Sequence, residues 1–343
     1  MSDNPFQLIG ENLHTSRIVL KKGKKFSTRN GVEGVPFTSV DGEDLLLEVS
    51  DEMKATQDYG EGRIKHIKLA VQLAMSSGRD ADVGLQYISQ IVANQEQARA
   101  HFLDINVDEI SLKLEEQRAS MSWLVERVQQ MSSLPVSVDS SDQSVIEIGL
   151  QAISGGDRPM LNSASLERID ALDLAAEHKA RVITTAAGAE GMPTTAEERV
   201  ENASKMVEAA LTKGIPASDI FVDPLMFPIS VDSTFGTHAL DAIRMIREKY
   251  GAEIHITGGM SNVSFGIPAR SVVNAVFINL AVGAGADSGI IDPVMNRLDK
   301  VFAADRESRP YRLAEDAILG RDEHCMAYIK AWRAGEVPPF SSK

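Results

Sequence analysis

Residues 101–165 read HFLDINVDEISLKLEEQRASMSWLVERVQQMSSLPVSVDSSDQSVIEIGLQAISGGDRPMLNSAS, and two periods alternate along them. Three short apolar runs end in polar residues: HFLDINVD from His101, PVSVDSS from Pro135 and RPMLNSAS from Arg158. Their length and composition are those of buried strands. Between them, Met121, Trp123, Leu124, Val125 and Val128 mark one helical face, and Val145, Ile146, Ile148 and Leu150 mark another. The alternation continues outward in both directions. QLIGENLH from Gln7 precedes it, and RVITTAAG from Arg181, DIFVDPL from Asp219, EIHITGGMSN from Glu253 and SGIIDP from Ser288 follow. Val200, Met206, Val207 and Leu211 mark a further helix. Strand–helix alternation repeated about eight times is the sequence form of an α/β parallel barrel, (β/α)8. An open, doubly wound sheet is the competing arrangement.

The stretch from Lys21 to Asn94 exceeds one strand–helix unit. A polar, Gly-rich loop, KKGKKFSTRNGVEGVP, leads into helical segments expected at Glu43–Gln57, Gly62–Ser76 and Asp82–Arg99. The expected organisation is one barrel domain over residues 1–343. Residues 21–99 form a helical insertion over the barrel mouth plus the first helix, and 309–343 form a C-terminal helical extension. A chain of 343 residues fits one such domain. The net charge of −14, from 35 basic and 49 acidic residues, excludes a general binder of nucleic acid or anionic membrane, which needs basic surface. A single cysteine, Cys325, excludes an internal disulfide. MSDNPFQLIGEN lacks the basic and apolar runs of a signal peptide, and no apolar run is long enough to span a bilayer, so the cytoplasm is expected.

Polar side chains recur at the C-terminal ends of the expected strands: Glu11 and Asn12, Asp104 and Asn106, Asp139, Asn162, Asp223, Asn262 and Asp292. In a barrel these ends converge on the active-site face. Any one of them can be a helix cap, but together they exceed what capping needs. No nucleophile elbow with Ser, His and Asp is present, and no histidine pair has HExxH spacing. Two ligand types remain open. One is a hard cation held by carboxylates. The other is a planar ligand with adjacent N–H donors, such as a pterin, which an aspartate grips by charge-assisted hydrogen bonds and a carboxamide meets with both a donor and an acceptor.

Four strings, VDSSDQSVIEIGLQA, PMLNSAS, FVDPL and GGMSNVSFGIPAR, resemble the pterin-binding methyltransferases that move a methyl group between tetrahydrofolate and a corrinoid. The resemblance runs from Gln7, skips the insertion, and continues from His101 to Asp292. It implies that Asp139, Asn162 and Asp223 grip the pterin and that Asn262 swings toward the nitrogen carrying the methyl group. Arg270 matches an arginine downstream of that asparagine, and Asp104 and Asn106 match a D-x-N on the second strand. Glu11 opens the first-strand string GENLHT, where acetogen enzymes show a GERING-like string, so Asn12 and His14 stand where an arginine and an asparagine are usual. This departure, with the insertion, resembles the branch used in methylotrophic demethylation of glycine betaine or chloromethane. There a methylated corrinoid protein hands its methyl to tetrahydrofolate, forming 5-methyltetrahydrofolate.

No DxHxxG string for holding cobalamin is present, so the resemblance implies that the corrinoid is carried by a partner protein. The last strand lacks the SRK-like end of dihydropteroate synthases. A dihydropteroate synthase-like enzyme and a non-catalytic folate-binding module remain the alternatives, and no resident metal is expected. His14 is either a proton donor or a structural hydrogen-bond partner. The basic run Lys21, Lys22, Lys24, Lys25 and Arg29 is a folate-tail or partner contact, or else a solvated loop. GAGADSG from Gly283 ends a helix and precedes a strand, the reverse of a dinucleotide loop. Val272–Leu280, apolar on all sides, is a buried helix or a dimer contact, and a homodimer is expected.

Overall fold

The computed structural model describes residues 6–340. Among these, eight parallel strands form one sheet: β1 (Gln7–His14), β2 (Phe102–Asn106), β3 (Val136–Asp139), β4 (Met160–Ala164), β5 (Arg181–Thr185), β6 (Ile220–Asp223), β7 (His255–Ile256) and β8 (Ser288–Ile291). Their order is β7-β6-β5-β4-β3-β2-β1-β8, and a bridge from Gly259 to Ile290 nearly closes the sheet into the (β/α)8 barrel. No helix among the described residues is long and apolar enough to cross a membrane.

The chain divides into two compact units. One holds the chain up to Gly10, Ala98–His101 and everything from Met160 onward; the other holds Glu11–Gln97 and Phe102–Pro159. In the second unit β2 and β3 pair in the register Asp104↔Ser137 and Asn106↔Asp139, so a carboxamide and a carboxylate end their strands side by side. Phe102, Leu103 and Ile105 are all buried, the run expected of a parallel strand covered on both faces. The helix Leu114–Met131 buries Met121, Leu124, Val125 and Val128 along one stripe. On the helix Gln143–Gln151, a Cβ at Gly149 would meet Val138 Cγ1 at 2.5 Å, so glycine permits the close packing on β3.

The insertion is half sheet rather than wholly helical. Ser27–Arg29, Val32–Thr38 and Asp44–Glu48 form a three-stranded antiparallel sheet, and Ile18–Leu20 pairs with Arg63–Lys65. The helix expected over Glu43–Gln57 is therefore the strand Asp44–Glu48 followed by the short helix Asp51–Lys54. The apolar run Leu45–Leu47 satisfies either period. Turn chemistry decides: Asn30 and Gly31, both at positive φ, make the two-residue loop of one hairpin, and Gly42 at φ 86° follows Asp41 in the next. The later helices, His66–Ala74 and Arg79–Gln97, lie where periodicity put them.

In the first unit the helix Ala196–Thr212 begins with a capping box between Thr195 and Glu198. The apolar helix Arg270–Ala284 is a buried helix, covered by this chain itself: Leu298–Phe302 and Arg309–Ile318 pack against it, and Asn279 Nδ2 donates to Val301 O at 2.8 Å. Its apolar circumference thus gives no ground for a second copy. The C-terminal extension is helical at Arg309–Ile318 and Met326–Arg333.

Candidate functional site

In the unit that holds β2 and β3, four polar side chains meet at the C-terminal strand ends. His14, ending β1, donates from Nε2 to Asp104 Oδ2 at 2.7 Å and lies 4.0 Å from Asp139 Oδ2. Asp139 Oδ2 also accepts from Asn106 Nδ2 at 3.0 Å, and Asn106 Oδ1 accepts from the Asp108 N–H at 3.0 Å. Asp108 in turn accepts from the Ser140 hydroxyl at 2.6 Å and the Ser141 N–H at 2.9 Å, which ties the loop after β2 to the loop after β3. Asp104 is wholly buried. Glu11 lies 3.7 Å from Arg17, and the Asn12 N–H donates to Gln95 Oε1.

The electrostatics of this cluster follow from burial. Burial pushes the Asp139 carboxyl up, the charge of Asp104 pushes it further, and His14 and Asn106 oppose them, leaving it at about 7. Burial pulls the His14 imidazolium down, but the hydrogen bond and charge of Asp104, then Asp139 and Glu11, outweigh it and hold its pKa above the ordinary value. The ligand atoms of His14, Asp104 and Asp139 lie within 4.8 Å of one another, close enough for a cation. A metal there would need His14 deprotonated and its 2.7 Å hydrogen bond to Asp104 given up. The arrangement is an ion pair beside a second carboxylate, built to accept hydrogen bonds.

The other unit carries a second set. Asp223, ending β6 and 9% exposed, accepts from the Leu225 N–H at 2.7 Å. Burial pushes its carboxyl up to about 6 against the Leu225 N–H, the Arg199 charge and the Gly259 N–H. Gly258, at φ 151°, leaves the room this carboxylate needs, because a Cβ there would meet Asp223 Oδ1 at 2.8 Å. Asn262 is exposed on the 3-10 turn Met260–Ser264, and its Nδ2 lies over Gly259. Arg270 braces this turn, with Nε on Ser264 Oγ at 2.9 Å, Nη2 on Ser261 O at 2.7 Å and the guanidinium 4.1 Å from the Phe265 ring. Asn162 is buried within β4, opposite Ile183 of β5. Asp292 accepts from the Val294 and Met295 N–H groups within the turn that follows β8.

Arg199 is a functional candidate that motif reading does not single out. It is fully buried, donates from Nη1 to the carbonyls of Pro224 and Leu225, and lies 4.7 Å from the Phe227 ring. Leu225 is held at φ 68°, a left-handed conformation that leucine adopts only under constraint. The signal was present as spacing: Arg199 falls on the buried stripe Ala196, Ala203, Met206, Val207 and Ala210. A cation on an apolar stripe needs an internal partner.

The family of pterin binding enzymes matches residues 80–292. A methylcorrinoid:tetrahydrofolate methyltransferase of Eubacterium limosum is 31% identical over 262 residues, covering 73% of this chain and 88% of that protein. The methionine synthase of Mycobacterium leprae is 32% identical over 216 residues, covering 59% of this chain but 17% of that far longer protein. Among solved structures, the dihydropteroate synthase of Xanthomonas albilineans in complex with 7,8-dihydropteroate matches at a TM-score of 0.50 and 18% identity, covering 77% of this chain and 90% of that one. That likeness speaks for the fold. The profile match and the methyltransferase relative speak for the family: the chain belongs to the pterin-binding enzymes.

Proposed function

We propose that this enzyme transfers a methyl group from a methylcorrinoid carried on a partner protein to tetrahydrofolate, forming 5-methyltetrahydrofolate. The observation that carries the reading is a pair of carboxylates, the half-buried Asp139 and the buried Asp223, each at a strand end and each raised toward neutrality. A carboxylate kept in a poorly solvated place is unfavourable until N–H donors reach it, and the pterin ring offers such donors. The carboxamide of Asn162 adds a donor and an acceptor. The relative in Eubacterium limosum, whose name states this reaction, supports the same assignment.

In this reading Asp139, Asn162 and Asp223 grip the pterin, with Asn106 holding Asp139 in place. Asp104 acts through His14, and Glu11 adds to the field at the same strand end. Asn262 faces the methyl-accepting nitrogen, and Arg270 acts by fixing the turn that carries it. The chemistry is a displacement at carbon. The lone pair of the folate amine forms the new N–C bond, the carbon–cobalt bond breaks with its pair left on cobalt, and the nitrogen sheds its proton. The protein supplies position and charge rather than a covalent partner.

The test mixes the enzyme with methylcobalamin and tetrahydrofolate. Loss of the methylcobalamin absorbance with stoichiometric 5-methyltetrahydrofolate supports the reading. Tight folate binding with no methyl loss, also with methylated corrinoid proteins, would leave a folate-binding module. Condensation of p-aminobenzoate with a dihydropterin pyrophosphate would replace the reading with a dihydropteroate synthase-like activity.

A further inference from the structure

Asp139 is placed where it needs a counter-charge. The groups that bear on its carboxylate are Asp104 on β2, Asp108 in the loop after β2, the Asn106 amide and His14. Two of these are carboxylates, and His14 is the cation of the set. The groups that face His14 are Asp104 at 2.7 Å from β2, Asp139 at 4.0 Å from β3, and Glu11 on its own strand, with Arg17 beside Glu11. Two carboxylates within 4.8 Å of each other, one of them wholly buried, ionise together more readily when a positive charge lies between them. The bond to wholly buried Asp104 fixes the imidazole at one nitrogen and leaves its charge to act on Asp139.

The geometry points to His14 as a positioning residue that keeps Asp139 ionised and aimed at the pterin, so that its proton sets the pH range in which the site takes folate. This rests on the reading that tetrahydrofolate binds here. An acid limb and an alkaline plateau follow. As pH falls through about 7, Asp139 gains a proton and stops accepting from the ligand. As pH rises past the elevated pKa of His14, the imidazole becomes neutral, but Asp139 is by then ionised. Folate affinity therefore rises through about 7 and levels off, and residue 14 sets where the acid limb lies.

The experiment measures tetrahydrofolate Kd by calorimetry from pH 5.5 to 9.5, in wild type, His14→Gln and His14→Lys. Gln keeps an N–H for Asp104 but no charge. Its acid limb should move up by about one pH unit, weakening binding near pH 7 about fivefold. Affinity in this variant should then recover with rising pH and converge on that of wild type, whose His14 is by then neutral. Lys restores the charge and should bring the acid limb back. Should either variant misfold, NMR titration of His14 in wild type decides. Its pKa should lie above 6.5 and rise further when folate binds. Superimposable Kd profiles for wild type and Gln, a Lys profile that follows Gln, or a His14 pKa at or below 6.5 would each overturn the inference. Absence of folate binding by wild type at every pH would instead overturn the reading of the site.

Discussion

Replacing Asp223 by Asn should make the empty protein more stable in alkali while weakening its hold on folate. Burial has moved this carboxyl from 3.8 to about 6. A difference of about two pH units corresponds to about 3 kcal/mol by which the folded state disfavours the ionised form. The folded chain binds the proton more tightly than the unfolded chain. The stability this proton contributes is therefore fully present below pH 3.8 and is lost as pH rises through about 6. Asn is neutral throughout, and its Oδ1 can still accept from the Leu225 N–H, which the carboxylate meets at 2.7 Å. At pH 8 Asp223→Asn should exceed wild type by up to about 3 kcal/mol, about 4 °C in Tm for a chain of this length. At pH 5, between 3.8 and about 6, the gap should fall to about half of that, and it should vanish below pH 3.8. With tetrahydrofolate at pH 8 the order should shrink or reverse, because the charge-assisted bonds to the ligand are gone, at about 1.5–3 kcal/mol. Melting curves at the two pH values, with and without folate, read all four quantities. A variant less stable than wild type by the same margin at both pH values would refute the reasoning, since Asp223 would then serve the fold rather than a ligand.

Asp139→Ala should weaken tetrahydrofolate binding about tenfold or more, the loss of a charge-assisted bond, with the folded state retained by circular dichroism. Asn262→Ala should lose more in kcat than in folate Kd, because a carboxamide that follows the nitrogen's changing charge acts mainly in the transition state. If the side chain only steadies its turn, the variant would instead lose about 1 kcal/mol of stability and keep its turnover. Turnover should survive dialysis against a chelator, and elemental analysis should find no stoichiometric zinc; a metal at one equivalent would overturn the ion-pair account of His14, Asp104 and Asp139. Arg199→Met should lower stability by about 3 kcal/mol, since two carbonyls lose their buried donor, and should weaken folate binding further by removing the positive charge near Asp223.

The barrel was legible because its strands are uniform. A buried parallel strand is apolar on both faces and stops at a polar residue, so HFLDIN and VSVD announce themselves, and periodicity does the rest for the helices between. The insertion was less legible for the opposite reason. Leu45–Leu47 fits both periods, and the deciding signals were the short turns at Asn30–Gly31 and Asp41–Gly42, which carry weight only when a hairpin is sought. The carboxylates were legible as types at strand ends, but their states were not. That Asp104 is spent on His14 while Asp139 is left near neutrality depends on the strand register, which places Asn106 beside Asp139. Arg199 stayed hidden because a charged residue on a helix is ordinarily solvated. Only its buried neighbours on the same stripe mark it as internal.

The two units reach the same solution by different residues. Each holds an aspartate at the end of a strand, raised by burial, and each sets a cation near it: His14 for Asp139 and Arg199 for Asp223. The cations differ in kind. Arginine stays charged at every accessible pH, and Arg199 also holds the carbonyls after β6, so its influence on Asp223 is constant. Histidine titrates near neutrality, so its influence on Asp139 is conditional. The charge beside Asp223 is thus fixed, and the charge beside Asp139 is open to pH. Acceptors placed before the ligand arrives need no rearrangement when charge develops on it, and the cost of placing them falls on the empty fold. Folate should therefore stabilise this protein most at the pH where the empty form is already strained by its own carboxylates.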